Sequence, residues 1–314
     1  MPFGHFSRLN SQILQVLWAY AAFGAVASIR EDYNDIEEYR VQDQINLYHC
    51  TGSPLLQTTA CQCRSSEELE CINAQITDLN VFNDINKFYR YNRKITLRGN
   101  NFNSLPEGPL FGNQSQMNLE LLNLSANYIV NISSNSLKGM PNLMILDLSN
   151  NEIVLHKDMI DFLSHTPRLH QLYLRRAFTA MNKDERQLHL LMKMFEKANL
   201  QNLSILDLSY NFFTAVPYNL PCPFPSLMEL DLKQNYLQSF DINTSCIGKL
   251  RTLDISRNNL SRLSDNFMNS VASRMKNNSI ILNNHFICDC NSSEYIYWIR
   301  NATTVVCFDF SLNT

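Results

Sequence analysis

Between residues 119 and 258 the chain repeats one short phrase. It reads Leu-x-x-Leu-x-Leu-x-x-Asn at 119–127, 143–151, 203–211 and 227–235, and again at 250–258 with Ile255 as the third apolar residue. A sixth copy, Leu169-x-x-Leu172-x-Leu174, keeps its leucines but has Ala177 where the asparagine should stand, and Ile95-x-Leu97-x-x-Asn100 is a weaker first copy. The starting leucines are 24, 26, 34, 24 and 23 residues apart, a period expected of a stacked repeat. Within each copy the alternation places residues such as Leu206 and Leu208 on one face of a short strand. Asn211 and its equivalents follow where the chain turns, and a side-chain amide there can satisfy backbone groups that the turn exposes. A single unit cannot cover its own leucines, so the units must stack.

This is the pattern of a leucine-rich repeat solenoid, an α/β horseshoe built over residues 93–274. Its two open ends need covers. Cys50, Cys61, Cys63 and Cys71 precede the first repeat, so residues 50–92 read as a cysteine-rich N-terminal cap; a zinc site is the competing reading of such a cluster, without a matching group of histidines. Cys288, Cys290 and Cys307, with Tyr295, Ile296 and Trp298 on a short helix, mark a C-terminal cap over residues 275–314. Cys222 and Cys246 lie 24 residues apart at equivalent places in adjacent repeats, which brings them within reach of a disulfide.

The chain begins with a short apolar run, residues 13–27, ending in Ala25-Val26-Ala27. This reads as a signal peptide over residues 1–27, with an uncleaved anchor as the alternative. No later stretch is long and apolar enough to cross a bilayer, so the mature chain is expected to lack a transmembrane segment. All nine cysteines follow residue 49, which fits an oxidising, extracellular setting. Nine Asn-x-Ser/Thr sequons, at Asn113, Asn123, Asn131, Asn202, Asn243, Asn259, Asn277, Asn291 and Asn301, point to a glycoprotein. Residues 28–49 carry Glu31, Asp32, Asp35, Glu37, Glu38 and Asp43 around Tyr33 and Tyr39, and read as a flexible acidic lead-in or as a docking or modification arm. A net charge of −3 without a Lys/Arg stripe gives no reason to expect nucleic acid. The chain has no G-x-S-x-G, P-loop or H-E-x-x-H, and neither an enzymatic activity nor a metal or cofactor is expected.

Strand residues between the leucines are expected on the concave face, among them Lys94, Thr96, Arg98, Asn123, Ser125, Asp147, Tyr173, Arg175, Arg176, Asp207, Tyr210, Asp231, Lys233, Asp254 and Arg257. The four aspartates hold one repeat position, and Asp207, Asp231 and Asp254 should form a ladder at strand spacing, with Ser209, Lys233 and Arg257 close enough to soften the repulsion; L-D-L-S is either repeat filler or part of a mixed-charge docking surface. Tyr173, Arg175, Arg176 and Tyr210 are the candidate partner-binding residues, since Tyr and Arg are the side chains most often found at interface hot spots. Asn123 carries its sequon on the same face. The 34-residue step holds an insertion, residues 178–199. There Asn182 and Glu185 have capping-box spacing, and Leu188, Leu191, Met192 and Phe195 share one helical face. A helix over 183–198 is expected, closed by Asn199.

Three of these features together, the two-cap solenoid, the interrupted repeat with Asp184–Gln187 ahead of an extra helix, and the segment NNHFICDC followed by Trp298, resemble the trophoblast glycoprotein (5T4) family. The resemblance covers roughly residues 61–298. It implies a non-enzymatic extracellular glycoprotein that modulates Wnt/β-catenin signalling, usually as an inhibitor, by binding a protein partner such as a Wnt-pathway receptor or ligand. An adhesion, guidance or innate-immune recognition protein is the alternative reading. The cap pairings implied are Cys50–Cys63 and Cys61–Cys71 at the N-terminus and Cys288–Cys307 at the C-terminus. On that pairing Cys290 is left over, so the cap is expected to be incomplete and a disulfide-linked dimer through Cys290 becomes possible. Family members carry a C-terminal transmembrane helix, so cell-surface location is expected if this chain is a shortened form, and secretion otherwise.

Overall fold

In the computed structural model the described residues are 48–50, 52–64, 67–179, 181, 185–276, 278–287, 289, 292–301 and 305–307. The signal peptide, the lead-in up to residue 47, Cys288, Cys290 and the side chain of Cys307 lie outside them, as do Asn182 and the side chain of Glu185. The sequons at Asn277 and Asn291 and the side chain of Asn301 fall outside as well.

Twelve strands form one sheet in chain order. They are β1 (Tyr48–His49), β2 (Cys61–Cys63), β3 (Glu68–Cys71), β4 (Lys94–Thr96), β5 (Leu121–Asn123), β6 (Ile145–Asp147), β7 (Gln171–Tyr173), β8 (Ile205–Asp207), β9 (Glu229–Asp231), β10 (Thr252–Asp254), β11 (Ser279–Ile281) and β12 (Val305–Cys307). The first three pair antiparallel, and from β3 onward every pair is parallel. In register, Leu69, Ile95, Leu122, Leu146, Leu172, Leu206, Leu230, Leu253 and Ile280 make one column, each 1% exposed or less. That column, flanked by the first and third leucines of each phrase, is the continuous core of a solenoid.

The asparagines form a second column that holds the turns together. Asn151 Oδ1 accepts from the N–H groups of Asn127 (3.1 Å) and Ile129 (3.0 Å), while its Nδ2 donates to Leu124 and Leu148 carbonyls. Asn235 serves Asn211 and Phe213 in the same way. Each amide thus satisfies the backbone of the repeat before it as well as its own. At Ala177 the column is interrupted, and the N–H of Ile153 turns instead to the Ala177 carbonyl at 2.8 Å.

Residues 178–199 contain the expected helix, α2 (Glu185–Ala198), preceded in the chain by α1 (Asn80–Phe88) and followed by α3 (Ser293–Asn301). The insertion begins later than the sequence implied, because Phe178 is still part of the repeat: it bridges to Ile153 and is buried. Helix α2 packs beside the 3-10 turn Phe162–His165, burying Leu191, Met192, Met194, Phe195 and Ala198. Phe195 meets Phe224 edge to face at 5.1 Å, and Lys197 pairs with Asp161. Gln187, which follows a run of charged residues in the chain, is buried. Its Oε1 accepts from the Leu155 N–H at 2.7 Å and its Nε2 donates to the Leu155 carbonyl at 2.9 Å, so one side chain clasps one peptide from both sides. Asn199 closes the helix in the left-handed region with φ 52°.

Disulfides join Cys50 to Cys63 and Cys61 to Cys71 across the cap hairpin, and Cys222 to Cys246 between adjacent repeats with Cα atoms 4.9 Å apart. At the other end α3 covers the last repeats, where Tyr295 is buried and Trp298 meets Phe267 at 6.0 Å. The repeat register does not stop at residue 274 as the leucine spacing implied: β11 and β12 extend it through Ile280 and Val306. Asn277 stands there in place of a starting leucine, which hides the copy from a pattern of leucines.

Candidate functional site

The aspartates on the concave face are built into the turns. Asp147, Asp207, Asp231 and Asp254 each accept the backbone N–H two residues on, all at 2.9 Å, and the hydroxyls of Ser209 and Ser256 add to Asp207 and Asp254. This local bond closes each strand and answers the charge repulsion along the ladder. Lys233 contributes its backbone N–H, and the residue that answers Asp254 is Ser256; Arg257 sits in the following turn. Burial pushes the Asp147 carboxyl above its ordinary range, bonds from Ser149 oppose that, Asp207 adds to the rise and Arg98 reduces it. Asn123 plays the aspartate's part in β5. Its Oδ1 accepts the Ser125 N–H at 2.8 Å and the residue is 3% exposed, so its sequon is not open on the concave face as the sequence alone implied.

The repeat of β7 departs from this scheme at three positions. Tyr173 replaces the aspartate between Asp147 and Asp207, Arg175 replaces the serine between Ser149 and Ser209, and Ala177 replaces the asparagine. Tyr173 is half-buried and its hydroxyl donates to Gln171 Oε1 at 3.0 Å. Arg175 is exposed and lies over the ring of Tyr210, its guanidinium carbon 4.2 Å from the centroid. Arg176 is also exposed, and neither arginine pairs with an acid among the described residues.

Arg176 and Tyr210, expected at strand positions, lie beyond the ends of β7 and β8. They occupy the turn position before the asparagine column, with φ 48° and 61°, as do Ala126, Asn150, Gln234 and Arg257. The left-handed turn swings these side chains from the concave face toward its rim. Four predicted residues therefore form a surface that runs from the concave face at Tyr173 to the rim at Arg176 and Tyr210. Sequence reasoning omitted the strand-entry row, in which Leu121, Ile145, Gln171 and Ile205 are half-buried beside it. It also omitted Phe212 and Tyr236, exposed and 5.7 Å apart, one position past the asparagines. The recurring aromatic after Asn, seen also at Tyr128, was the available signal. Among the described residues no group of three or more His, Cys, Asp or Glu could hold a metal ion, and no helix is long and apolar enough to cross a membrane.

Leucine rich repeat models match residues 93–153, 117–176 and 249–270. Trophoblast glycoprotein of Macaca fascicularis is 24% identical over 257 residues and that of Mus musculus 26% over 263, each alignment covering 78% of this chain. The crystal structure of human 5T4 (Wnt-activated inhibitory factor 1, trophoblast glycoprotein) aligns with a TM-score of 0.65 at 25% identity, over 80% of this chain and 89% of that one. The chain is a 5T4-like leucine-rich repeat protein. This 5T4-like chain spans 60% of the length of the two trophoblast glycoproteins. The likeness is one of fold across most of the described chain.

Proposed function

We propose that the chain is a secreted, non-enzymatic glycoprotein scaffold that binds an extracellular protein through the surface of Tyr173, Arg175, Arg176 and Tyr210, and that this binding dampens Wnt/β-catenin signalling. The observation that carries the surface is the β7 repeat. In the neighbouring repeats these positions hold Asp147 and Asp207, whose carboxylates accept the N–H groups of Ser149 and Ser209, whereas the β7 repeat presents Tyr173 and Arg175, followed by Arg176 in the turn, and neither arginine has an acidic partner among the described residues. Stacking on Tyr210 holds the Arg175 guanidinium in one orientation before a partner arrives, which reduces the entropy lost on binding. Arginines without a local acid fit a partner that offers carboxylates. The Wnt assignment rests on similarity to a protein titled Wnt-activated inhibitory factor 1.

The test is Arg175→Glu with Arg176→Glu, assayed for secretion, for thermal stability and in a Wnt-responsive reporter cell line. Normal secretion and stability with a lost reporter effect is the expected result. An unchanged reporter effect moves the interface elsewhere. A wild-type chain with no effect on the reporter removes the Wnt assignment while leaving the binding surface to be read by proximity labelling, again against the charge-reversed variant.

A further inference from the structure

Phe212 and Tyr236 are exposed aromatics, stacked in a tilted pair on the rim. Each follows an asparagine of the column, and so does the next residue in that row, Asn259. Asn259 begins the sequon Asn259-Leu260-Ser261, is exposed, and donates its N–H to the Leu237 carbonyl at 3.0 Å. Leu237 is the residue after Tyr236, and its own N–H donates to Asn258 Oδ1 at 3.1 Å. The 258–259 segment thus runs directly alongside 236–237, at the spacing of roughly 4.8 Å between neighbouring strands. Moving one repeat at a time, the row reads Phe212, Tyr236, Asn259.

We propose that Asn259 carries an N-linked glycan whose first sugars lie over Tyr236 and Phe212, so that the aromatic pair is a platform for the protein's own carbohydrate. Attachment joins Asn259 Nδ2 to the anomeric carbon of an oligosaccharide delivered on a lipid diphosphate; the lipid diphosphate leaves and the amide loses one proton. The C–H face of a pyranose ring suits the electron-rich face of tyrosine or phenylalanine. The attachment point fixes the occupant, because a chain tethered one repeat away is at high effective concentration over the rings. The rings of Phe212 and Tyr236 are then withdrawn from protein binding, which is left to Tyr173, Arg175, Arg176 and Tyr210. The inference needs passage through the secretory pathway, as proposed above, but not the identity of any partner.

The experiment uses the full chain secreted from a glycosylating cell line, as wild type, Asn259→Gln and Ser261→Ala. Glycopeptide mass spectrometry reads occupancy at Asn259, and nitration by tetranitromethane reads ring access. Tyr128 is the internal reference: it holds the same place in its repeat, is 56% exposed, and its following neighbour in the row is Glu152. The expected result is an occupied Asn259, a Tyr236 that nitrates several-fold more slowly than Tyr128 in wild type, and loss of that protection in both variants. If neither variant is secreted, enzymatic deglycosylation of the folded wild type gives the same comparison. An unoccupied Asn259 overturns the proposal. So does equal nitration of Tyr236 with and without the glycan, whether both are fast, leaving a bare pair, or both slow, which assigns the pair to a second copy or another protein.

Discussion

Replacing Asn211 with alanine tests how far the turns depend on borrowed bonds. Asn211 is fully buried, and its Oδ1 accepts two N–H groups of the preceding repeat, Ala177 at 2.9 Å and Phe178 at 3.2 Å. Its Nδ2 donates to the carbonyls of Leu174 and Leu208, at 2.7 and 3.0 Å. The carbonyls keep other partners, since Leu174 also accepts from the Ala177 N–H and Leu208 from Asn235 Nδ2. The loss therefore falls mainly on the buried Phe178 N–H, because the Ala177 N–H keeps its longer bond to the Leu174 carbonyl at 3.3 Å. A buried donor left unsatisfied costs about 1–3 kcal/mol, and the weakened bond at Ala177 adds to it, so Asn211→Ala should destabilise by roughly 2–4 kcal/mol. That corresponds to a Tm lower by about 5 °C or more for a domain of this size. Asn258 is the control, because its Oδ1 accepts one side-turn N–H, that of Leu237, and Asn258→Ala should do less harm. Calorimetry and denaturant unfolding give the two midpoints, and hydrogen exchange locates the damage, with protection lost first at 177–178. A wild-type midpoint for Asn211→Ala, or a larger loss for Asn258→Ala, would refute the reasoning.

Asn92 occupies the column of starting leucines, is fully buried, and neither polar atom of its amide has a hydrogen-bond partner, so Asn92→Leu should stabilise by about 1–3 kcal/mol; a loss in denaturant midpoint instead would mean that the amide is satisfied by buried water. The raised Asp147 carboxyl takes up a proton in the folded chain before it does in the unfolded one, so its unfavourable contribution is present above its folded pKa and relieved as pH falls toward the ordinary carboxylate value. Asp147→Asn, with Ser149→Ala to avoid a new sequon, should raise the neutral-pH Tm, and the gain should shrink on acidification; a constant gain between pH 7 and 4 would contradict the sign. For Cys290, non-reducing electrophoresis of wild type and Cys290→Ser should show a covalent dimer or adduct in the first alone, and identical monomer bands without thiol labelling would reassign the cap pairing.

The strands were legible because alternation of leucines is a local signal: β5 to β9 each lie inside a Leu-x-x-Leu-x-Leu phrase, and β10 inside the copy that ends in Ile255. Helix α2 was legible for the same reason, its buried face being written at helical spacing. What the letters did not carry was the backbone sign at the turns. Arg176 and Tyr210 look like the next step of a strand, and only their positive φ turns them toward the rim. Long-range polar bonds were equally hidden. Gln187 sits among charged residues and reads as surface, yet it closes on Leu155, 32 residues away. Asn123 looks like a glycan acceptor because a sequon is a three-letter pattern, whereas its burial follows from bonding its own turn. The candidate surface was readable in composition, as Tyr and Arg, but the stacking of Arg175 on Tyr210 spans two strands and required the sheet register.

The Cys222–Cys246 bridge gains another meaning when the chain is considered under tension. A solenoid pulled from its ends unravels repeat by repeat, each one lengthening the tether as it lets go. Because this crosslink closes the 24-residue segment that contains β9, that share of the contour, about 80 Å when fully drawn out, stays locked while the rest pays out. The two cap crosslinks, closing 13 and 10 residues, do the same at the other end. Between them the repeats from β4 to β8 are bound to their neighbours by packing and hydrogen bonds alone among the described residues. A mechanical load on that side of the bridge is therefore taken up in the stretch that contains α2 and the Tyr173–Arg175 surface.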